Sequence, residues 1–378
     1  MKKPVIYADH AATTALSPRA LDAMTPFLTD DYTNPSTLYH LSYASRKAVT
    51  SARERIADCI GTSPEEIHFT SCGTEADNWA LKGIAFQHFN QRKRIITSAI
   101  EHHAILHSCE FLRRMGCEIL YLPVDSCGIV LPDTLESAIK KESACLVSVM
   151  MANNEIGTIE PVNQFADIAH RYGALFHTDA VQTVGHIPVN VRELGMDMLS
   201  ASAHKFNGPK GVGFLYVRKG IAMEPLLHGG GQEMGLRAGT ENVAGIVGMA
   251  AALSEHMEIL DKDRQQLELL RALLLSRLKD SGIRFLVNGS ENRIPGSLSL
   301  SFYQAEGEMI LHRLDLMGIA IATGSACNSK ETVLSHVIQA IGVPKSYAQG
   351  TIRITLGMDN NEEQVGDIAN ALIQVLSE

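Results

Sequence analysis

Through the first two thirds of the chain, short β-rich runs alternate with segments of helical periodicity, and this rhythm restricts the possible architectures more than any other feature. The strand-like runs are Arg94–Thr97, Glu118–Pro123, Ala144–Met150, Ala174–His177 and Met198–Ser200. Strands and helices in repeated alternation form βαβ units, so an α/β protein with a mostly parallel central sheet is expected. Such sheets bind ligands beyond the carboxyl ends of their strands, which directs attention to polar residues just after each run. From Ser254 to Asp280 the pattern changes to one long amphipathic helix, with Ile259, Leu260, Leu267, Leu270, Leu274 and Leu278 near helical spacing. Beyond it, Gly296–Phe302 and Thr351–Leu356 read as strands. Asp359 to Glu362 carries a capping signal for a last helix bearing Val365, Ile368, Leu372 and Leu376. A smaller α+β domain is therefore expected at the C-terminus, joined to the first by the long helix.

A chain of 378 residues, 45% hydrophobic and 20% charged, is long enough to bury sizeable cores. The apolar run after Lys2 and Lys3 is broken at Asp9, so it lacks a signal-peptide core. No segment reads as long and apolar enough to cross a bilayer, and a cytosolic protein without a membrane partner is expected. The seven cysteines (59, 72, 109, 117, 127, 145 and 327) form no C-x-x-C pair. Their odd number argues against a disulfide framework or structural zinc, and no bound metal is expected. A formal charge of −9, with no Lys/Arg run and no basic residues interleaved with aromatics, disfavours direct binding of nucleic acid.

In Ala174-Leu-Phe-His-Thr-Asp-Ala-Val-Gln182 an apolar strand ends in an acid with no basic residue near it in sequence. A carboxylate at a strand's carboxyl end can keep a pyridinium nitrogen protonated, which a pyridoxal cofactor needs to act as an electron sink. Gln182, three residues on, can reach the ring hydroxyl. An isolated Asp179 would read as a cap for the following turn. The next segment, Ser200-Ala-Ser-Ala-His-Lys-Phe-Asn-Gly-Pro-Lys-Gly211, changes that balance by placing Lys205 in a loop of small residues bounded by Gly and Pro. A lysine held there can form a Schiff base with an aldehyde, and Ser202 and His204 add phosphate donors beside it.

In Phe69-Thr-Ser-Cys-Gly-Thr-Glu-Ala-Asp-Asn-Trp, Gly73 and Thr74 open a strongly helical stretch, so free N–H groups and the Thr74 hydroxyl can hold a phosphate. Ile100-Glu-His-His-Ala104 follows a strand and offers His102 as a flat ring to stack on a cofactor and as a proton carrier. From spacing alone His103 serves as well. The glycine-rich His228–Thr240 segment lacks the Lys-Ser/Thr ending of a nucleotide loop and reads as a place of close backbone approach.

Near the C-terminus, Ile321-Ala-Thr-Gly-Ser-Ala-Cys-Asn-Ser329 sets Cys327 among small residues, with the accessibility that a sulfur nucleophile needs. Cys145, inside an apolar run, lacks it. Arg353, within Gly350-Thr-Ile-Arg-Ile-Thr-Leu-Gly357, can capture a substrate carboxylate through two N–H groups, although alternation on a strand also allows an outward-facing arginine.

Taken together, these segments resemble the cysteine desulfurases, the fold-type I pyridoxal-phosphate enzymes of the nitrogen-fixation and iron–sulfur-assembly kind. The resemblance also draws on Tyr-Ala-Asp-His-Ala-Ala-Thr-Thr (7–14), Asn-Pro-Ser (34–36), Asn-Asn-Glu-Ile-Gly (153–157) and Arg-Ala-Gly-Thr (237–240), in order over nearly the whole chain. It implies a large cofactor-binding domain over 15–255 and a small domain of 1–14 with 256–378 that carries the Cys327 loop. It implies pyridoxal 5'-phosphate bound to Lys205, with Asp179 on the pyridine nitrogen, Gln182 on the ring oxygen and His102, rather than His103, on the ring face. Asn154 would lie beside cofactor and substrate. Gly73, Thr74, Ser202 and His204 would hold the phosphate, with Thr240 supplied by the neighbouring subunit of a homodimer. L-cysteine, gripped by Arg353, would give L-alanine and a persulfide on Cys327 for a sulfur-acceptor protein, either an iron–sulfur scaffold or a tRNA-thiolation enzyme. The long segment between Cys327 and Arg353 favours cysteine over selenocysteine. Cys72, where relatives commonly carry glycine, and Asn328, where threonine is common, depart from the family pattern without removing a needed group. A selenocysteine lyase, another aminotransferase-like enzyme of the same fold type and a noncatalytic scaffold are the alternatives.

Overall fold

A computed structural model describes residues 5–89, 93–323 and 334–377. Its main sheet has seven strands: β2 (Ile67–Thr70), β3 (Arg94–Ser98), β4 (Glu118–Leu122), β5 (Leu146–Ser148), β6 (Leu175–Asp179), β7 (Met198–Ser202) and β8 (Gly213–Val217), after a short β1 (Ile6–Tyr7). Their order is β2-β8-β7-β6-β5-β3-β4. The strands from β4 to β7 pair in parallel, and only β8 runs against its neighbours β7 and β2. Every residue of β3, β5 and β7 is buried, whereas the edge strand β4 buries only Leu122. Burial of each large apolar side chain contributes about 1.5–3 kcal/mol. The central strands are thus the best-anchored part of the molecule, and their carboxyl ends make a stiff platform for a site.

The C-terminal part holds an antiparallel sheet of β9 (Phe285–Asn288), β10 (Ser297–Phe302), β12 (Ala322–Thr323) and β13 (Thr351–Thr355), in the order β12-β13-β10-β9. The N-terminal β1 crosses over to pair in parallel with β11 (Ile319–Ala320), with Ile6 opposite Ile319. This return brings the Tyr7–Thr14 segment between the two sheets. The last helix, Glu362–Ser377, starts with the Asn361 side chain accepting from the Gln364 N–H at 3.0 Å. Asn361 therefore does the capping expected of Asp359.

The long helix differs most from expectation. It spans Val243–Asp280, starting eleven residues before the amphipathic pattern becomes legible. Its first half, Gly245-Ile-Val-Gly-Met-Ala-Ala-Ala-Leu253, is nearly uniformly buried and so shows no polar face. Ile246, Met249 and Leu253 enter the core that surrounds the parallel sheet, while Leu267, Leu270, Leu274 and Leu278 enter the core around the small sheet. A Cβ at Gly248 would lie 2.5 Å from the Met24 side chain, so glycine is what lets the helix Pro18–Thr29 pack closely there. By length and composition this helix is apolar enough to cross a membrane, contrary to the sequence expectation. Its most apolar stretch is 61% buried inside the protein, which places it as a core helix.

Candidate functional site

The carboxyl ends of β3, β5, β6 and β7 open into a cavity of about 330 Å³. Its walls include Gly73, Thr74, His102, Asn154, Asp179, Gln182, Ser202, His204, Lys205 and Arg353. They come from six separate stretches of the sequence; all but Asn154, which only the family resemblance implied, had been singled out from the residues themselves. Thr240, the remaining expected phosphate contact, is exposed and does not line the cavity of its own chain. Cys327 lies outside the described residues. Of the two adjacent histidines His102 and His103, His102 faces the cavity. His103 instead turns to His107 and His336, with ring centroids 5.0 and 5.1 Å away.

Lys205 follows β7 on a single helical turn, Ala203–Lys205. Its Nζ donates to the carbonyls of Ala11 and Ala12 at 2.5 and 2.9 Å. Burial, and then the nearby Arg353 guanidinium, pull its pKa down to about 8 from the ordinary 10.5. Only the neutral amine is nucleophilic, and its fraction rises with pH through the folded pKa. Cofactor attachment to the cofactor-free protein, followed by absorbance, is therefore expected to accelerate with pH and level off above about 8. A rate still climbing near pH 10 would mean an ordinary lysine.

Asp179 ends β6 buried at the cavity wall, and its Oδ1 accepts the Val181 N–H at 2.9 Å. Burial pushes its carboxyl up from the usual range, while the His102 ring, the Val181 N–H and Lys205 oppose that rise by favouring the ionised form. The His102 Nδ1 accepts the Ala104 N–H at 3.1 Å, which fixes the ring at the start of the helix His103–Arg114 and leaves Nε2 for other partners. Gln182 Nε2 donates to the Ala11 carbonyl at 3.1 Å.

The phosphate end of the cavity is recognisable from what lacks a partner. Ser202 is buried and its Oγ makes no hydrogen bond. The helix Gly73–Gln87 has Cys72 as its N-cap, without a side-chain hydrogen bond, so its first-turn N–H groups are open to an anion. A Cβ on Gly73 would fall 2.6 Å from Val181 Cγ2, so the close approach needs glycine. A buried orphan hydroxyl, a helix start without a cap, a lysine of lowered pKa and a strand-end carboxyl match the phosphate, aldehyde and ring nitrogen of pyridoxal phosphate. His204, its pKa driven down to about 4 by burial and then by Lys205, is a neutral ring, with Nδ1 3.1 Å from Thr13 Oγ1.

Arg353 enters from β13 on the opposite wall. Its Nη2 meets Asp9 Oδ1 at 2.7 Å, and its Nη1 donates to the Asn154 carbonyl at 2.9 Å. Nε is buried without a partner. The arginine thus faces the cavity instead of solvent, and two contacts fix its plane while leaving N–H groups for an incoming carboxylate.

Several site residues escaped sequence reasoning. Asp9, Ala11, Ala12 and Thr13 all belong to the Tyr7–Thr14 segment, which had been noticed only as a family motif. The Tyr7 hydroxyl folds this segment by donating to the carbonyls of Asp9 at 3.0 Å and Thr13 at 2.8 Å. Asp77 and Met150 also line the cavity. None of the six described cysteines is in a disulfide, and no group of residues able to hold a metal occurs among the described residues.

The class-V aminotransferase family model matches residues 6–368 of the chain. The cysteine desulfurase IscS of Dictyoglomus turgidum is 49% identical over 375 residues, covering 99% of this chain and 95% of that protein. The IscS of Methanosarcina thermophila is 44% identical, covering 98% and 92%. Among solved structures, a NifS-like protein superposes with a TM-score of 0.93 at 41% identity over 99% of both chains. SspA in complex with cysteine superposes with a TM-score of 0.83 at 33% identity, over 93% of this chain and 99% of that one. A cavity built for pyridoxal phosphate, a family model covering almost every residue and relatives of this identity agree: the chain belongs to the class-V aminotransferase family and, within it, to the cysteine desulfurases.

Proposed function

We propose that the chain takes sulfur from L-cysteine with pyridoxal phosphate held in the Lys205 cavity, releasing L-alanine and leaving a persulfide on Cys327. The observation that carries this reading is the facing of Lys205 and Arg353 across one cavity, an amine poised to lose its proton opposite a guanidinium poised for a carboxylate. When bound, pyridoxal phosphate supplies an electron sink for the pair released as the substrate Cα loses its proton.

The chain's own groups have separable tasks. Arg353 receives the amino-acid carboxylate, held in plane by Asp9 and the Asn154 carbonyl. Asp179 would keep a proton on the ring nitrogen, and His102 would lie beside the ring. Ser202, His204, Thr74 and the Gly73 N–H would hold the phosphate, and Gln182 would meet the ring oxygen. Lys205, once its amine is free, moves the proton at Cα. The Cys327 thiolate attacks the substrate sulfur, so that the new S–S bond forms as the Cβ–S bond breaks. What supports Cys327 is its place in Gly324-Ser-Ala-Cys and the names of the relatives.

Thr240, exposed on its own chain, fits a homodimer in which each subunit completes its partner's phosphate site. The persulfide then requires a sulfur-acceptor protein, for which we propose one of iron–sulfur-assembly or tRNA-thiolation type in the cytosol. Purified protein given L-cysteine and a reductant is expected to release alanine and sulfide in equal amounts. Keto-acid formation without alanine would favour an amino-transfer reaction instead.

A further inference from the structure

Behind Asp179 lies a second carboxyl group to which the reaction above gives no task. Asp77, on the helix Gly73–Gln87, lines the cavity floor and is 1% exposed. Its Oδ1 has no hydrogen-bond partner. Its surroundings come from every layer of the fold. His177 on β6 lies 3.8 Å from it and the Ser200 hydroxyl on β7 beside it, and the charges of Asp179 on β6, Glu101 in the loop after β3 and Cys72 at its own helix start act on it. Across the cavity, His102 and Lys205 face Asp179.

No cation pairs with Asp77 among the described residues. The nearest candidate, His177 Nε2, stands 3.8 Å away. That ring is wholly enclosed by Ser148 Oγ at 2.9 Å and Ser200 Oγ at 3.0 Å, and burial drives its pKa down to about 3, so it is neutral. Two carboxyl groups enclosed together without a cation between them do not both ionise, and the less supported one keeps the proton. Asp179 has the better support for charge, from the Val181 N–H, His102 and Lys205. Asp77 has only the Ser200 hydroxyl.

We infer that Asp77 is a positioning residue that carries the proton of a buried carboxyl pair, leaving Asp179 as the single ionised member, the one that would meet the ring nitrogen. A second negative charge at this depth would raise the proton affinity of Asp179, favouring its neutral form over the carboxylate that a ring N–H needs as its acceptor. A neutral Asp77 prevents that while filling the floor with a polar group, and Ser200, His177 and Ser148 continue the neutral chain beneath the sheet ends. The use of this charge rests on the proposed function, but the location of the proton does not.

Infrared spectroscopy of the full-length protein at neutral pH, before and after cofactor loading and without substrate, reads the proton directly. Isotope-labelled aspartate separates the aspartic acids from Glu101 and Glu160, whose pKa values are raised to about 8 and about 9. Asp77→Asn, close in shape to the neutral acid, is expected to remove one protonated-carboxyl band that Asp179→Asn leaves in place. Survival of that band in Asp77→Asn overturns the inference. Should Asp77→Asn fail to fold, Ser200→Ala serves in its place. Removing the hydroxyl beside Asp77 is expected to shift the same band, and an unmoved band overturns the assignment. Because no turnover is measured, these outcomes are independent of whether the chain desulfurates cysteine.

Discussion

Replacing Lys205 with alanine is expected to abolish covalent attachment of pyridoxal phosphate and to remove turnover of L-cysteine. The proton-transfer task alone accounts for a loss of roughly 100- to 10,000-fold, and loss of the cofactor's anchor adds to it. The structure explains why no other residue takes over. Nζ lies over the Ala11 and Ala12 carbonyls because β7 ends at Ser202 and a single turn aims the side chain inward. The next lysine in the chain, Lys210, is not among the cavity-lining residues. The phosphate cradle around Ser202 and Gly73 is untouched by the substitution, so the variant should still bind the cofactor reversibly. Absorbance after gel filtration measures the first effect, and alanine release measures the second. A stably retained cofactor spectrum with normal turnover would contradict the assignment.

Replacing Arg353 with alanine should be nearly as severe for a different reason. Arg353 and Asp9 are largely enclosed, with side-chain exposures of 12% and 18%. Removing one partner of a mostly buried charge pair costs about 2–5 kcal/mol. Carried over to a substrate carboxylate left without its cation, and at about 1.4 kcal/mol per factor of ten, this amounts to a fall in kcat/KM of roughly 30- to several-thousand-fold. Most of the fall is expected in KM, because the guanidinium binds a group that does not react. Lysine at this position keeps the charge but cannot meet Asp9, the Asn154 carbonyl and a carboxylate in one plane, so Arg353→Lys should recover only part of the loss. The cofactor spectrum should be unchanged in both variants. A kcat loss without any change in KM would place Arg353 outside carboxylate recognition.

How far the sequence discloses this site depends on the distance over which each signal acts. Asp179 and Lys205 are legible because a buried parallel strand must end somewhere, and a polar residue at that end is visible in a few consecutive letters. The Gly73–Thr74 helix start is legible for the same reason. The Tyr7–Thr14 segment is not, because its partners His204, Lys205 and Arg353 lie far along the chain and nothing in its own pattern of short polar residues announces them. Asp77 is hidden differently. An acid in the first turns of a helix reads as a solvated group favouring the helix dipole, and only the packing of β6 and β7 beneath it shows that it is enclosed. The first half of the Val243–Asp280 helix has no polar face to give a period, since it is covered on nearly all sides. Asn361, not Asp359, caps the final helix, a shift within the two-residue uncertainty of any helix boundary.

The fold also explains why the two halves of the site come from two sheets. The ends of the parallel strands fix Asp179, Ser202 and Lys205 within one rigid frame, whereas Arg353 stands on an antiparallel strand of the other core. The N-terminal segment joins them, donating the Ala8 N–H to the Ala320 carbonyl and accepting from Lys205 through Ala11 and Ala12. Carboxylate capture and cofactor chemistry are thereby held in register by a few residues at the start of the described chain.

The most direct test of the account is a single turnover with the cofactor-loaded protein and L-cysteine in the absence of reductant, with alanine counted and the protein digested for mass analysis. One alanine per site, together with one added sulfur on the peptide containing Cys327, is the predicted result, and Cys327→Ser should show neither. Unchanged alanine formation in Cys327→Ser, or an added sulfur found only on another cysteine, would contradict it.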